Sequence, residues 1–224
     1  MAAPSSFSYD LAELVGILLG DGSINIYPSE KYSTYYCVKV SFNSQERQYI
    51  NHVSHLMKRV LGVVPKKLFR ANENTAELLI YRKAVVEKLL VLGLRSSPKW
   101  ERAVIPARFL RSPLDLCVLR GYFDTDGSVV IANNNGISYA RLEMKISPSP
   151  MQQQLLKILK KNCFAYHAYA IGKGKVRVQM NGREELRKWM QLVGFHNEKH
   201  ARRARSLCSH TRRFFKTVTK SCWI

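Results

Sequence analysis

Residues 14–24 read "LVGILLGDGSI". Leu14, Val15, Ile17, Leu18 and Leu19 surround Gly16 and Gly20, and with Leu11 they predict a helix over about 10–20 that is apolar nearly all round, hence buried. The run ends in a carboxylate, Asp21, followed by Gly22. A helix C-terminus carries partial negative charge, so an acid there costs roughly 0.3–1 kcal/mol. Residues 119–129, "LRGYFDTDGSV", repeat the arrangement: Gly121, Asp126 and Gly127 follow Gly16, Asp21 and Gly22 at a constant offset of 105. One such arrangement is an ordinary helix stop. Two in register need a common cause.

The elements between the two motifs also repeat. After the first helix come strand patterns at 23–28 and 34–43, where "YYCVKVSF" alternates polar and apolar residues. An amphipathic helix at about 45–61 presents Ile50, Val53, Leu56, Met57, Val60 and Leu61 on one stripe. Strands at 66–71 and 75–81 and a helix from 83 to Gly93 complete the unit. The second unit follows the same order: helix 113–125, strands 128–132 and 137–146, helix 150–163, strands 166–171 and 174–180, and helix 183–193 closing on Gly194. The expected fold is α+β, with the order αββαββα used twice. Residues 1–97 form the first unit, 98–112 a proline-broken linker and 113–200 the second unit, leaving 201–224 as a basic tail.

Net charge is +20, from 36 Lys and Arg against 16 Asp and Glu. That excess favours a polyanionic partner, most often nucleic acid. It is not confined to the tail: both units are themselves basic, so the electropositive surface is long and shared. With 46% hydrophobic residues the chain can bury a core and is not disordered. No apolar run approaches a membrane span, and "MAAPSSFSYD" lacks a signal-peptide pattern. Five scattered cysteines without a CxxC pair argue against a disulfide framework and against cysteine-bound zinc. These features point to an intracellular protein with no membrane partner.

Gly16 and Gly20 share one helix face, as do Gly121 and Thr125. Small residues at that spacing let two backbones approach, so the two motif helices are expected to pair at the seam between the units. Asp21 and Asp126 then meet within a few ångströms. Two carboxylates at two helix C-termini are costly unless a cation joins them. A hard divalent ion takes one or two carboxylates plus waters and substrate phosphates, and can activate water and neutralise phosphate charge. Other candidates are weaker. His196 and His200, in "HNEKH", have helical spacing but no evident third ligand, and His52 and His55 read as surface residues of the second helix.

"LVGILLGDG" (14–22) and "LRGYFDTDG" (119–127) resemble the two copies of the signature that names the LAGLIDADG homing endonucleases, and the stretch 105–129 resembles the same region of intein-borne members. The resemblance spans residues 10–194. It implies two pseudo-symmetric units, each with a four-stranded antiparallel saddle sheet, packed through the signature helices. It implies a monomer that cuts both strands of a long asymmetric DNA duplex with Mg²⁺ or Mn²⁺, across the minor groove and with short 3′ overhangs. Asp21 and Asp126 match the metal-binding acids of the family, with the carbonyls of Gly20 and Thr125 beside them. The sixth signature position, Leu19 in one copy and Asp124 in the other, is not the essential acid. Lys99 and Lys199 match the basic residue that follows each unit's last helix and polarises water or phosphate, and Asn43 and Ser147 match the polar residue that orders active-site water.

The resemblance also implies that the strands supply recognition along the major groove. Arg141, Glu143 and Lys145 oppose Leu142, Met144 and Ile146; Lys175, Arg177 and Gln179 oppose Val176, Val178 and Met180. In the first unit Asn25, Tyr27, Lys39, Ser41, Lys66 and Arg70 are the candidates to face DNA. Long polar side chains of this kind read base edges, while others touch only phosphates. Two alternatives share the fold: a maturase that binds its own intron RNA, and a DNA-binding regulator without cleavage. In the tail, Arg202, Arg203, Arg205, Arg212, Arg213, Lys216 and Lys220 could extend a nucleic-acid contact, and Phe214, Phe215 and Trp223 hint at packing.

Overall fold

A computed structural model describes residues 5–29 and 33–209; the tail residues from Arg212 to Trp223 lie outside them. The first unit comprises α1 (Ser6–Leu19), β1 (Gly22–Tyr27), β2 (Tyr35–Asn43), α2 (Arg47–Leu61), β3 (Lys66–Arg70), β4 (Thr75–Ile80) and α3 (Lys83–Val91). The second comprises α4 (Leu114–Asp126), β5 (Gly127–Asn134), β6 (Ile137–Ile146), α5 (Pro150–Lys161), β7 (His167–Ala170), β8 (Val176–Asn181) and α6 (Arg183–Leu192). Each unit has one antiparallel four-stranded sheet, ordered β1-β2-β4-β3 and β5-β6-β8-β7. The fold is therefore α+β with the αββαββα order repeated, as expected.

Local chemistry sets the boundaries. Ser5 caps α1, its hydroxyl accepting the Ser8 N–H at 3.3 Å. α2 buries the expected stripe together with Tyr49 and stops at Gly62, which takes the left-handed conformation at φ 72°. The β5–β6 hairpin turns through Asn135 and Gly136, at φ 49° and 84°, the backbone that tight hairpins require. Along β2, Val38, Val40 and Phe42 are buried while Lys39 and Ser41 remain accessible on the other face. The inner faces of both sheets, α1, α4 and the amphipathic helices share one continuous core, with Trp189 packed among Phe123, Phe164 and Phe195.

Two segments carry structure that the sequence reading did not describe. Residues 98–112 pack on both units, with Lys99 bonded to the end of α1 and the Glu101 N–H to the Pro148 carbonyl at 2.6 Å. Ala103, Ile105 and Phe109 are buried, and the Gln154 side chain bonds both the N–H and the carbonyl of Ile105, at 2.7 and 2.9 Å. The stretch assigned to a tail from 201 opens inside a seventh helix, α7 (Glu198–Ser209). Ala204 is fully buried there, with Ala201, Leu207 and Cys208 half-buried beside it. The surrounding arginines mask this narrow apolar stripe. Among the described residues no helix is long and apolar enough to cross a membrane.

Candidate metal centre and nucleic-acid face

α1 and α4 touch backbone to backbone. A Cβ placed on Gly16 would collide with the Val118 carbonyl oxygen and stand 2.8 Å from the Tyr122 nitrogen. One placed on Gly121 would collide with the Glu13 carbonyl and lie 3.0 Å from the Ile17 nitrogen. Gly20 faces the C-terminal end of α4: a Cβ there would strike Thr125 Oγ1 and stand 3.1 Å from Asp126 Oδ2. The seam therefore sets the Asp126 carboxylate beside the residue that precedes Asp21.

The two acids are not placed identically. Sequence puts Asp21 at the helix end, but α1 stops at Leu19; the Gly20 N–H bonds the Gly16 carbonyl at 3.1 Å, and Asp21 lies one residue beyond. Its carbonyl accepts the Ser41 N–H at 3.3 Å, so it is tied to β2. α4 runs through Asp126 to a cap at Gly127. Both carboxylates keep an accessible side, the side a metal would need, while protein crowds the rest. That crowding, joined by the charge of Asp21 and opposed by Lys99, raises the Asp126 pKa to about 7. Asp21 is raised too, by burial, against Lys99 and with Glu46 adding repulsion.

The charge of Lys99 acts on both acids from the end of α1. Its ammonium donates to the carbonyls of Leu18 and Leu19 at 2.9 Å and of Gly20 at 2.5 Å, groups that the end of α1 leaves without helical partners. Burial lowers its pKa to about 8 against the pull of Asp126 and Asp21. The Gly20 carbonyl, matched to the family's metal ligands, is thus engaged by Lys99, and a metal using it would compete with the ammonium. Thr125 turns its hydroxyl inward, donating to the Tyr122 carbonyl at 2.9 Å.

The second unit is built differently. Lys199 Nζ pairs with Glu46 Oε1 at 3.0 Å. Asn197 caps the second motif helix instead: its Nδ2 donates to the Asp124 carbonyl at 3.0 Å, at the position equivalent to Leu19. The connection from Gly194 to Lys199 is one residue shorter than that from Gly93 to Lys99, and Lys199 lies within α7. Asp124 is buried, its Oδ2 accepting the N–H groups of His196 and Asn197 at 2.8 and 3.2 Å. Burial still raises its pKa to about 7. Asn43 ends β2, with its Oδ1 accepting the Gln45 N–H at 2.9 Å. It shares a cleft of about 630 Å³ with Glu46, Asn197, Lys199 and Arg202. Ser147 is half-buried just past β6, its carbonyl accepting the Ser149 hydroxyl at 3.2 Å.

Register places the recognition candidates on common faces. In the first sheet Asn25 pairs with Cys37, Tyr27 with Tyr35, Ser41 with Glu77, Lys66 with Leu79 and Arg70 with Thr75, all on the side of Lys39. In the second, Arg141 pairs with Asn181, Glu143 with Gln179 and Lys145 with Arg177, and Lys175 continues the β8 alternation toward Trp100, 5.4 Å from its ring. Several of these side chains hold each other. Lys39 and Arg70 both reach Glu77 at 3.3 Å, and Gln179 donates to Glu143 at 2.7 Å with Arg177 at 3.8 Å. Glu77 was not foreseen, nor were Tyr35 and Tyr81. Tyr35 stands between Tyr27 and Tyr81 at ring distances of 6.0 and 5.3 Å, and a hydrogen bond with Tyr81 pushes its hydroxyl pKa up to about 12. The "YSTYY" composition is the only sequence signal of that cluster.

Nor is His52 a plain surface residue. Glu13, buried in α1, accepts His52 Nε2 and His196 Nδ1 on one oxygen, each at 2.7 Å, and Arg120 on the other at 2.7 Å. Burial opposes its charge, yet these partners hold the Glu13 carboxyl well below the usual range. An acid within the apolar run 11–19 was the available signal.

The raised carboxyl pKa values have a thermodynamic sign. A folded state that binds a proton more tightly than the unfolded chain loses stability as pH rises, here between about 4, the unfolded value, and about 7. In EDTA, the melting temperature of Asp126→Asn is expected to exceed that of wild type by a margin that widens from about pH 5 to about pH 8. Saturating Mg²⁺ narrows it. Thermal melts across that range measure the effect.

No family model matches the chain. A stretch of 125 residues is 27% identical to the replication factor C small subunit of Methanocaldococcus jannaschii, covering 56% of this chain and 6% of that protein's length. Solved structures align over most of the chain. The homing endonuclease I-DmoI in complex with DNA and Ca superposes with a TM-score of 0.65 at 16% identity, covering 84% of this chain and 91% of that one. The LAGLIDADG meganuclease I-AabMI bound to uncleaved DNA gives 0.63 at 13%, covering 94% and 92%. The meganuclease I-SmaMI bound to uncleavable DNA gives 0.60 at 10%, covering 88% of each chain. With two glycine-bearing motif helices at the seam and a four-stranded sheet on either side, this chain has the two-motif LAGLIDADG fold of the homing endonucleases.

Proposed function

We propose that the chain is a divalent-metal-dependent endonuclease that cuts both strands of a long, asymmetric DNA duplex. The observation that carries this reading is the convergence of Asp21, Asp126 and Lys99 at the seam, between two polar sheet faces on a +20 chain. The solved neighbours, described with DNA and with Ca or Mn, support it. The two carboxyls, raised chiefly by burial, fit a hard divalent ion, because such an ion supplies the positive charge that favours their ionised form. When bound, Mg²⁺ or Mn²⁺ supplies a stronger nucleophile from water and neutralises charge on the phosphate.

The chain supplies the rest. Asp21 and Asp126 would hold the ion, while Lys99 keeps a positive charge beside both acids. The sheets fix the duplex so that its scissile phosphates reach that point. Two unlike units in one chain read two unlike half-sites, consistent with a monomer. The tyrosine cluster of the first sheet offers apolar faces and hydroxyls, whereas Arg141 and the Gln179–Glu143–Arg177 network of the second offer donors suited to purine edges.

The test is a binding selection of randomised and genomic duplexes in Ca²⁺, followed by transfer of the enriched duplexes to Mg²⁺. Cutting of both strands supports the reading; retention of intact duplex together with tight binding of intron RNA would favour a maturase. Lys99→Met is expected to slow cleavage by about a hundredfold, at the low end of acid–base and charge-stabilisation effects, with duplex binding nearly unchanged. Lys199→Met is expected to cost less, since its ammonium rests on Glu46. Single-turnover rates on the enriched duplex compare the two.

A further inference from the structure

We propose that Glu13, His52 and His196 form a second cation site, of different chemistry from the acid pair, that takes a zinc-class transition metal and clamps the two units together. Their ligand atoms lie within 4.8 Å of one another, one carboxylate oxygen and two imidazole nitrogens. The residues come from α1, α2 and the loop after α6, so the cluster spans both units. Both imidazoles already converge on Glu13 Oε1 at 2.7 Å.

Zinc bonds of about 2.0–2.1 Å place tetrahedral ligands roughly 3.3 Å apart, so an opening of about 0.6 Å makes room for the ion. Two histidines and one carboxylate with an open position form a recurrent set for zinc and related metals, whereas Mg²⁺ prefers an all-oxygen shell.

The surroundings suit a metal as well. Arg120 holds Glu13 Oε2 at 2.7 Å and anchors itself to the Val193 carbonyl at 3.2 Å, which leaves Oε1 to the ligand position. Such outer partners fix the orientation of a ligating carboxylate. Tyr49 lies nearly parallel to the His52 ring, at 11° and 6.1 Å, and limits its rotation. The Glu13 side chain is only 3% exposed, but His52 and His196 are 28% and 39% exposed. The ion therefore has an entry path and space for a water ligand.

The test uses the full chain without a histidine tag, stripped with EDTA and titrated with Co²⁺. Binding of one ion with strong visible absorption, displaced by Zn²⁺ but not by excess Mg²⁺, is expected, together with a rise in melting temperature. His52→Ala and His196→Ala are each expected to weaken that binding by more than about a hundredfold, beyond what outer-sphere changes produce. The Asp21→Asn/Asp126→Asn double variant keeps it, so the result stands apart from the nuclease reading. Folded wild type without the absorption at Co²⁺ matching the protein would overturn the proposal, as would absorption that persists in both histidine variants. Glu13→Gln also breaks the Arg120 pair and is not used. Should the histidine variants fail to fold, pulsed electron paramagnetic resonance of Cu²⁺-loaded wild type decides: two coupled imidazoles support the site, and none refutes it.

Discussion

Gly121→Ala loses about 3 kcal/mol of stability or more, at the top of the range for overpacked positions. The added methyl meets the Glu13 carbonyl and the Ile17 nitrogen, and both belong to the backbone of α1. A rotamer change cannot clear them; the two helices must separate. Separation unpacks Leu14, Ile17, Val118 and Tyr122, all buried at or beside the seam. Since small domains are stable by about 5–15 kcal/mol, the loss is a large share of the total. Gly16→Ala, which meets the Val118 carbonyl, is expected to behave alike. Gly62→Ala is the control. Its φ of 72° strains any side chain, but nothing lies within 4 Å, so the cost is about 1–2 kcal/mol. Urea denaturation of the three variants, read by midpoint at constant slope, separates collision from backbone strain.

The second large effect is chemical. Asp21→Asn and Asp126→Asn are each expected to slow cleavage by at least about a thousandfold, or ~4 kcal/mol of barrier, while duplex binding in Ca²⁺ stays within a fewfold. Asparagine keeps the shape but removes the charge that holds the ion. The same substitutions each remove one crowded charge from a site where burial, joined by the Asp21 charge, raises the Asp126 pKa to about 7, so each variant is expected to melt above wild type in EDTA at neutral pH. Lost activity with gained stability is the signature of an acid placed for function. A purely structural helix stop would show neither change. Single-turnover assays with strand-specific labels, beside melts with and without Mg²⁺, give both readouts.

Most of the architecture was legible because periodicity carries it. The apolar run around Gly16 could only be a buried helix, and its register with Gly121 implied a pair. Alternation in β2, β6 and β8 identified the faces, since one face of each strand must enter the core. α7 was hidden because Arg202, Arg203 and Arg205 interrupt the small and apolar residues that bury it. The roles of the two lysines diverge in a way the spacing barely hints at. Lys99 lies on the end of α1, whereas Asn197 takes the equivalent end of α4 and Lys199 belongs to α7. Glu13, His52, Arg120 and His196 stand far apart in the chain, and only tertiary packing brings them together.

The proposed nuclease requires Asp21 and Asp126 to form one metal site at the seam. Anomalous scattering from crystals of the chain with its selected duplex and Mn²⁺ tests it directly. The expected result is Mn²⁺ signal within about 2.0–2.6 Å of carboxylate oxygens of both residues, facing the scissile phosphates. Signal elsewhere in the complex, with both carboxylates bare while the duplex is cut, would contradict it.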